Sequence, residues 1–270
     1  MRKGPAAWGS TCLGRVHPPR GGDPDAPVFV ELMAGSRRMA HAAARQGAWG
    51  VSFELADDAR EDVMASANMR WLRSLPGTCR VAAIWIGLVC ASWSRARRNT
   101  SGKPGWPGPL RDESRYLWGL PNLNDKDQER VTQGNKQLLW GVRLFRWAAH
   151  RSIPCVIENP AGSRIWLTPQ MLKLLARFPS VVVHYCAFGM EWKKPTRLLF
   201  CHCALSDLEK YCCHSCHGMC AHSGKRHQQL TGRSPHGPLW SAVASAYPPK
   251  MCTAIAMRIV QRLSHPPCPS

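Results

Sequence analysis

Acidic residues are scarce in this chain: 17 Asp and Glu stand against 36 Lys and Arg, giving a formal charge of +19 over 270 residues. A surplus this large argues against a neutral, partnerless surface and favours a polyanionic partner, nucleic acid being the usual one. Long apolar runs are also missing. The longest, Val81–Ala91, suits a buried parallel strand running into a loop and is too short to cross a bilayer, so no membrane partner is expected. The opening stretch Met1–Gly22 has no apolar h-region, which argues against a secretory signal, and no acid at all; it reads as a solvated basic tail rather than a transit peptide.

What the chain does have is 44% hydrophobic residues, enough for one large core, and 13 cysteines. Without a secretory signal those cysteines point to a reducing, intracellular setting. Metal ligands, catalytic thiols and small core residues are then expected in place of disulfides.

Residues 1–26, rich in Pro, Gly and Arg, are expected to be a disordered basic tail. From there the pattern alternates. Val28–Leu32, Val51–Glu54 and Val81–Ile86 read as strands. Between them lie an Ala-rich helix at Met39–Gln46 and a helix at Asp62–Leu75, marked by Val63, Ala67, Trp71 and Leu75. Residues 99–124, with Trp106 and Trp118, form a long Gly/Pro-rich loop, and such loops tend to be functional. Leu138, Val142, Phe145 and Ala149 mark another helix, Cys155–Glu158 a strand, and Thr168-Pro169 a helix start. Val181–Tyr185 and Leu198–Cys201 read as strands, 202–237 as irregular, and Trp240–Leu263 as two helices broken at Pro248-Pro249. The alternation predicts a doubly wound, Rossmann-like α/β sheet over 27–265, with 201–237 as a small Cys/His-rich insertion.

Three segments carry candidate chemistry. Val28–Ala40 is a strand, a Gly-containing turn and a helix, a combination that brings backbone amides to a ligand. Glu54 follows Gly35 by nineteen residues, at the end of the next strand, where nucleotide-type folds use a carboxylate to take ribose hydroxyls. In Ile84–Arg98, Cys90 is followed by Arg95, Arg97 and Arg98; nearby positive charge favours a thiolate, and the arginines could also hold phosphates. In Val156–Trp166, Glu158-Asn159-Pro160 ends a buried strand. Glu54 and Glu158 as loop caps, and Cys90 as a core cysteine, are the structural alternatives.

Together these segments resemble the DNA (cytosine-5) methyltransferases, and within them the compact versions of viruses and retroelements, which carry Glu-Asn-Pro. Gly134-Asn135, YCAFGMEWKKPTRLLF at Tyr185–Phe200, HQQLTG at His227–Gly232 and AYPPKMCTAIA at Ala246–Ala256 extend the resemblance over about residues 28–260. It implies a methyltransferase fold using S-adenosylmethionine, a flipped target cytosine and a DNA partner. Cys90 would add to ring carbon 6, Glu158 would bind the base edge, and Arg197 would lie near the pyrimidine oxygen. Leu32, Ala34, Gly35, Ser36, Glu54 and Tyr247 would hold the cofactor. Arg95, Arg97, Arg98, Asn159 and Lys194 would face the nucleic acid. A nuclear monomer is the expected setting.

Two positions depart from the family pattern: Arg37 replaces a second turn glycine, where a side chain is expected to collide with the cofactor, and Val89 replaces a proline before the cysteine. A catalytically decayed homologue that still binds nucleic acid, an RNA cytosine methyltransferase, and a zinc-dependent binding module without enzymatic activity therefore stay open as alternatives. Separately, Cys213-x-x-Cys216 has zinc-ligand spacing, with Cys220 and His227 able to complete a tetrahedron and Cys201-x-Cys203 as substitutes.

Overall fold

A computed structural model describes residues 12–97, 108–214 and 218–264. Its strands are β1 (Arg15–His17), β2 (Val28–Leu32), β3 (Trp49–Phe53), β4 (Val81–Gly87), β5 (Cys155–Pro160), β6 (Ser180–His184) and β7 (Pro195–Cys201). Its helices are α1 (Arg38–Arg45), α2 (Ser66–Thr78), α3 (Asp125–His150), α4 (Pro169–Leu175), α5 (Trp240–Val243) and α6 (Pro249–Ser264). The seven strands form one mixed sheet in the order β1-β3-β2-β4-β5-β7-β6. β3, β2, β4 and β5 run parallel; β1 pairs antiparallel at one edge, and β7 is antiparallel to both β5 and β6. This mixed α/β sheet is compatible with the Rossmann-like expectation.

Strand side chains alternate between two cores, as the period of two requires. Val28, Val30, Ile84, Ile86, Ile157 and Leu199 face one core with α2, α3 and α4, through residues such as Trp71, Leu138, Phe145 and Met171. Phe29, Trp85, Val156, Leu198 and Phe200 face the other with α1 and α6, through Met39, Ala42, Met251 and Ile255. Strands buried on both faces explain why β2, β4 and β5 read as near-continuous apolar runs.

The N-cap of α1, Arg37, offers no side-chain cap. Glu31 replaces it from the adjacent strand: its Oε2 accepts the Ala40 N–H at 2.7 Å. The carboxyl is fully buried, and burial pushes it up to about 8 despite the backbone N–H groups of Ala40 and Met39.

Two expectations need correction, and one helix start, left open by the sequence, is fixed. Within the tail expected to be disordered, Arg15–His17 pairs with Gly50–Ser52 and closes the sheet edge, a backbone role that composition does not disclose. α3 begins at Asp125, because Asn124 Oδ1 accepts the Asp127 N–H at 2.9 Å and the first turn carries Asp125 and Asp127; its opening polar turns lack the apolar stripe that marks its second half. α2 begins at Ser66, and it buries Asn68 in place of exposed Ala67, because Asn68 Nδ2 donates to the carbonyls of Arg60 and Asp62. Trp106 and Arg98 lie outside the described residues. Among the described residues no helix is long and apolar enough to cross a membrane.

Candidate functional site

From β2 the chain steps outward to β3 on one side, then returns through α2 to β4 on the other side of β2. The loops leaving the carboxyl ends of β2 and β4 therefore diverge, and such a switch point opens a crevice. A hollow of about 250 Å³ lies there. Ala34, Gly35 and Ser36 line it from the loop after β2, Glu54 from the end of β3, Val89 and Cys90 from the loop after β4, and Glu158 from β5. Lys194 and Tyr247 complete the wall.

The thiol and the carboxyl expected to act together thus share one hollow. Gly87 is aligned with Glu158 across the β4–β5 pair, so Cys90 follows three residues beyond that register. Gly87 must be glycine here: a Cβ would lie 2.6 Å from Tyr247 Oη and 3.1 Å from the Met33 carbonyl oxygen. Tyr247 Oη donates to Glu158 Oε2 at 2.8 Å and accepts from Trp85 Nε1 at 3.2 Å, fixing one carboxyl oxygen. The carboxyl lines the hollow, where it can meet a ligand.

Burial disfavours charge throughout the hollow. It pushes the Glu158 carboxyl up, against the pull of the Lys194 ammonium and of the Tyr247 hydrogen bond. It raises the Cys90 thiol, Glu158 adds to the rise, and Lys194 opposes it. It lowers Lys194, which Glu158 and Cys90 hold back up. Lys194 Nζ donates to the Ala244 carbonyl at 2.6 Å and sits 4.6 Å from the Tyr185 ring centre. Its φ of 26° lies in the left-handed region, directly before Pro195, an uncommon state for a lysine that costs about 1 kcal/mol or more. Expected on the nucleic-acid face, Lys194 instead stands beside the thiol and the carboxyl.

At the other end of the hollow, Glu54 Oε2 accepts the Gly35 N–H at 2.6 Å and Oε1 accepts the Ala56 N–H at 3.1 Å. Each oxygen keeps a second acceptor position. A smaller pocket of about 50 Å³ adjoins, lined by Phe53, Leu55, Val63 and Met64, and it shares Met33, Glu54 and Val89 with the hollow.

Arg37 does not intrude. Its φ of 56° is the left-handed value that a turn glycine would supply, but its side chain turns away from the hollow into the protein. Nη2 pairs with Asp57 at 2.7 Å and Glu61 at 2.8 Å, and Nη1 donates to Ser52 Oγ at 2.9 Å. The expected collision with a ligand is thus corrected: this arginine is a buried brace. Val89 is exposed at the mouth of the hollow.

Other assignments move. Leu32 has its side chain in the core, not in the hollow's wall. Arg197 is likewise absent from the wall; its guanidinium lies 5.6 Å from the Trp166 ring centre, and Lys194 is the cation facing Glu158. Asn159, expected to face the nucleic acid, is fully buried: its Nδ2 donates to the Leu88 carbonyl at 2.6 Å, strapping β5 to the loop that carries Cys90. Arg95 pairs with Glu113 at 2.7 Å. Arg97 Nε donates to the Gly108 carbonyl, and its guanidinium meets Asp127 at 3.3 Å. These two arginines, expected to hold phosphates, stitch the loop together.

Sequence reasoning missed Arg111. It is buried, stacked 3.4 Å over the Trp93 ring, and among the described residues meets no carboxylate. Its donors meet the carbonyls of Ser92, Leu117 and Val131, Ser92 Oγ, and Asn135 Oδ1 at 2.8 Å. Burial pushes the guanidinium down to about 10, and Arg164 adds to that. Gly134 lets this cluster approach α3, since a Cβ there would lie 2.4 Å from Ser92 Oγ. The Gly134-Asn135 pair was the available signal: it braces the Cys90 loop from behind.

Of the expected metal ligands, Cys216 lies outside the described residues. Cys186 joins Cys213, Cys220 and His227 in a group whose ligand atoms lie within 4.8 Å of one another and could hold a metal such as zinc. Comparison of the chain with protein-family models, with curated proteins and with solved structures finds no match.

Proposed function

We propose that the protein is an S-adenosylmethionine-dependent cytosine-5 methyltransferase acting on DNA, on a methyltransferase-type variant of the Rossmann-like sheet. The observation that carries this reading is the convergence of Cys90, Glu158 and Lys194 on one hollow whose far end is Glu54. Two carboxyls, one held by Tyr247 among apolar groups and one at a strand end with open acceptor positions, suit two different ligands in one crevice.

The donor side fits the residues present. Glu54 would take ribose hydroxyls, and the apolar side chains of Phe53, Leu55 and Val63 would flank the base of the nucleoside. Side-chain-free Gly87 and the outward turn of Arg37 leave the space between them clear. When bound, the donor supplies an electrophilic methyl group.

The chain's own residues do the remaining work. Cys90 Sγ loses its proton and bonds to ring carbon 6 of an extruded cytosine. Glu158, whose carboxyl burial pushes up and so favours in its protonated form, would donate to ring nitrogen 3 and stabilise charge pushed into the ring. Carbon 5 would then be the nucleophile for the donor's methyl group, the sulfonium leaving as a neutral thioether. Loss of the carbon 5 proton to water and return of the nitrogen 3 proton to Glu158 expel the Cys90 thiolate and restore the ring. Lys194, beside both groups, favours the thiolate as the carbon–sulfur bond forms and breaks. The +19 charge supports a polyanionic substrate.

Transfer of labelled methyl from S-adenosylmethionine to cytosine-rich duplex DNA tests this, with single-stranded RNA as competitor. The parent is expected to label DNA and trap a covalent complex on 5-fluorocytosine DNA; Cys90→Ala should do neither, and Glu158→Gln should lose about 100-fold or more in rate. A Cys90→Ala protein labelling DNA at the parental rate would overturn the mechanism, and labelling confined to RNA would overturn the substrate.

A further inference from the structure

Residues 202–237 contain one 3₁₀ turn, Ser206–Tyr211, and no strand or α-helix among those described. Leu205 and Leu208 anchor its first part in the core, while the stretch beyond Tyr211 is largely exposed. Yet it closes around Cys213 and Cys220, which are buried, and reaches back to Cys186 in the turn Tyr185–Phe188 that follows β6.

The spacing of these groups is that of a coordination sphere. Tetrahedral zinc with thiolate and imidazole ligands sets its ligand atoms about 3.8 Å apart for two sulfurs and slightly less for sulfur and nitrogen. Here Cys213 Sγ lies 4.0 Å from Cys220 Sγ and 3.7 Å from His227 Nε2. The sulfurs are too far apart for a disulfide, which needs about 2.05 Å, and all three cysteines are free. A cluster of apolar thiols would not need the imidazole, whose Nε2 points at sulfur.

The surroundings favour anionic sulfur. The Ala221 N–H points at Cys213 Sγ at 3.4 Å, and backbone donors around thiolates are the usual outer shell of a closed metal site. Local geometry holds the ligands independently of one another. The bridge between Met219 and Arg226 and the Cys220 N–H to Lys225 carbonyl bond at 2.8 Å set Cys220 against His227. The Cys213 N–H is held by His184 Nδ1, at the end of β6.

We propose that Cys186, Cys213, Cys220 and His227 bind one Zn²⁺ in a closed structural site. Binding releases the three thiol protons and leaves a site of net charge −1. The ion fastens the irregular segment to the end of β6. It thereby fixes one flank of the 185–194 connection, whose last residue is Lys194.

The test uses the purified full chain. Elemental analysis and native mass spectrometry should find one zinc per chain. Cys186→Ser should lose it, while Cys203→Ser and Cys212→Ser should keep it. Cys186→His is the companion variant, which separates loss of the ligand from loss of the fold. It should retain one metal, and after Co²⁺ replacement its thiolate-to-cobalt absorption should fall by roughly a third, as two thiolates replace three. A metal-free parent with an EDTA-insensitive melting temperature would overturn the site. So would a Cys186→Ser protein that keeps its zinc while Cys216→Ser loses it.

Discussion

The guanidinium of Arg37 meets the carboxylate of Glu61 at 2.8 Å, and the same carboxylate oxygen accepts the Glu54 N–H at 2.7 Å. Arg37, at a left-handed turn position, is thereby connected through one buried acid to Glu54, the carboxylate proposed to take a ribose. Its unfavourable φ is offset by bonds that no glycine could make.

Placing glycine at position 37 should therefore harm the protein. Arg37→Gly relieves the left-handed strain but leaves Glu61 buried without its cation, at a net cost of about 2–4 kcal/mol. Thermal unfolding should show a drop in Tm, with no gain in methyl transfer. A variant that is as stable as the parent and more active would show that the brace is dispensable.

Two glycines in helices should respond in opposite senses to alanine. At Gly77, in the last turn of α2, an added Cβ meets nothing within 4 Å, so Gly77→Ala should stabilise by about 0.5–1 kcal/mol. At Gly134 the same methyl strikes Ser92 Oγ and crowds Arg111, so Gly134→Ala should destabilise by about 1–3 kcal/mol despite better helix propensity. Denaturant melts of the pair decide it; equal stabilisation would mean that the Cys90 loop yields freely.

The charges around Cys90 predict its reactivity. Lys194→Gln removes the group that lowers the thiol, and Glu158→Gln removes one that raises it. At fixed pH between 7 and 9, alkylation of Cys90, followed by peptide mass spectrometry, should slow about three- to tenfold in the first and quicken about as much in the second. Parental rates in both would separate the thiol from these neighbours.

Glu31 makes stability depend on pH in a defined sense. Its carboxyl titrates near 8 when folded and near its ordinary 4.5 when unfolded, so between these values the folded chain holds a proton the unfolded chain has lost. Its contribution to unfolding free energy therefore falls as pH rises through that window. Glu31→Gln, whose amide oxygen can still accept from Ala40, should remove this slope. The parent-minus-variant stability difference, measured from pH 5 to 9, should decline with pH; a flat difference would place the proton elsewhere.

Much of the fold was legible because its central strands are buried on both faces: Val28–Leu32 and Val81–Ile86 announce themselves by apolar continuity. The site was legible where a residue's place at a strand end fixes its position, as with Glu54, Cys90 and Glu158, which line one hollow. It was illegible where roles depend on partners distant in sequence. Nothing local distinguishes Arg97, bound to Gly108 and Asp127, from an arginine awaiting phosphate. Arg111 binds carbonyls, which carry no sequence signature. Cys186 precedes the Cys-x-x-Cys pair by more than twenty residues and meets its cluster only because β6 ends beside it.

The short pairing of Arg15–His17 with Gly50–Ser52 has a consequence for solubility. A chain trimmed at residue 27, as composition alone would invite, would bare the hydrogen-bonding groups of β3 along its outer side and remove the bond between His17 and Ser52 Oγ. Uncovered strands of this kind recruit other strands, so the shortened protein would tend to self-associate edge to edge. Those few residues thus act as a built-in guard against aggregation.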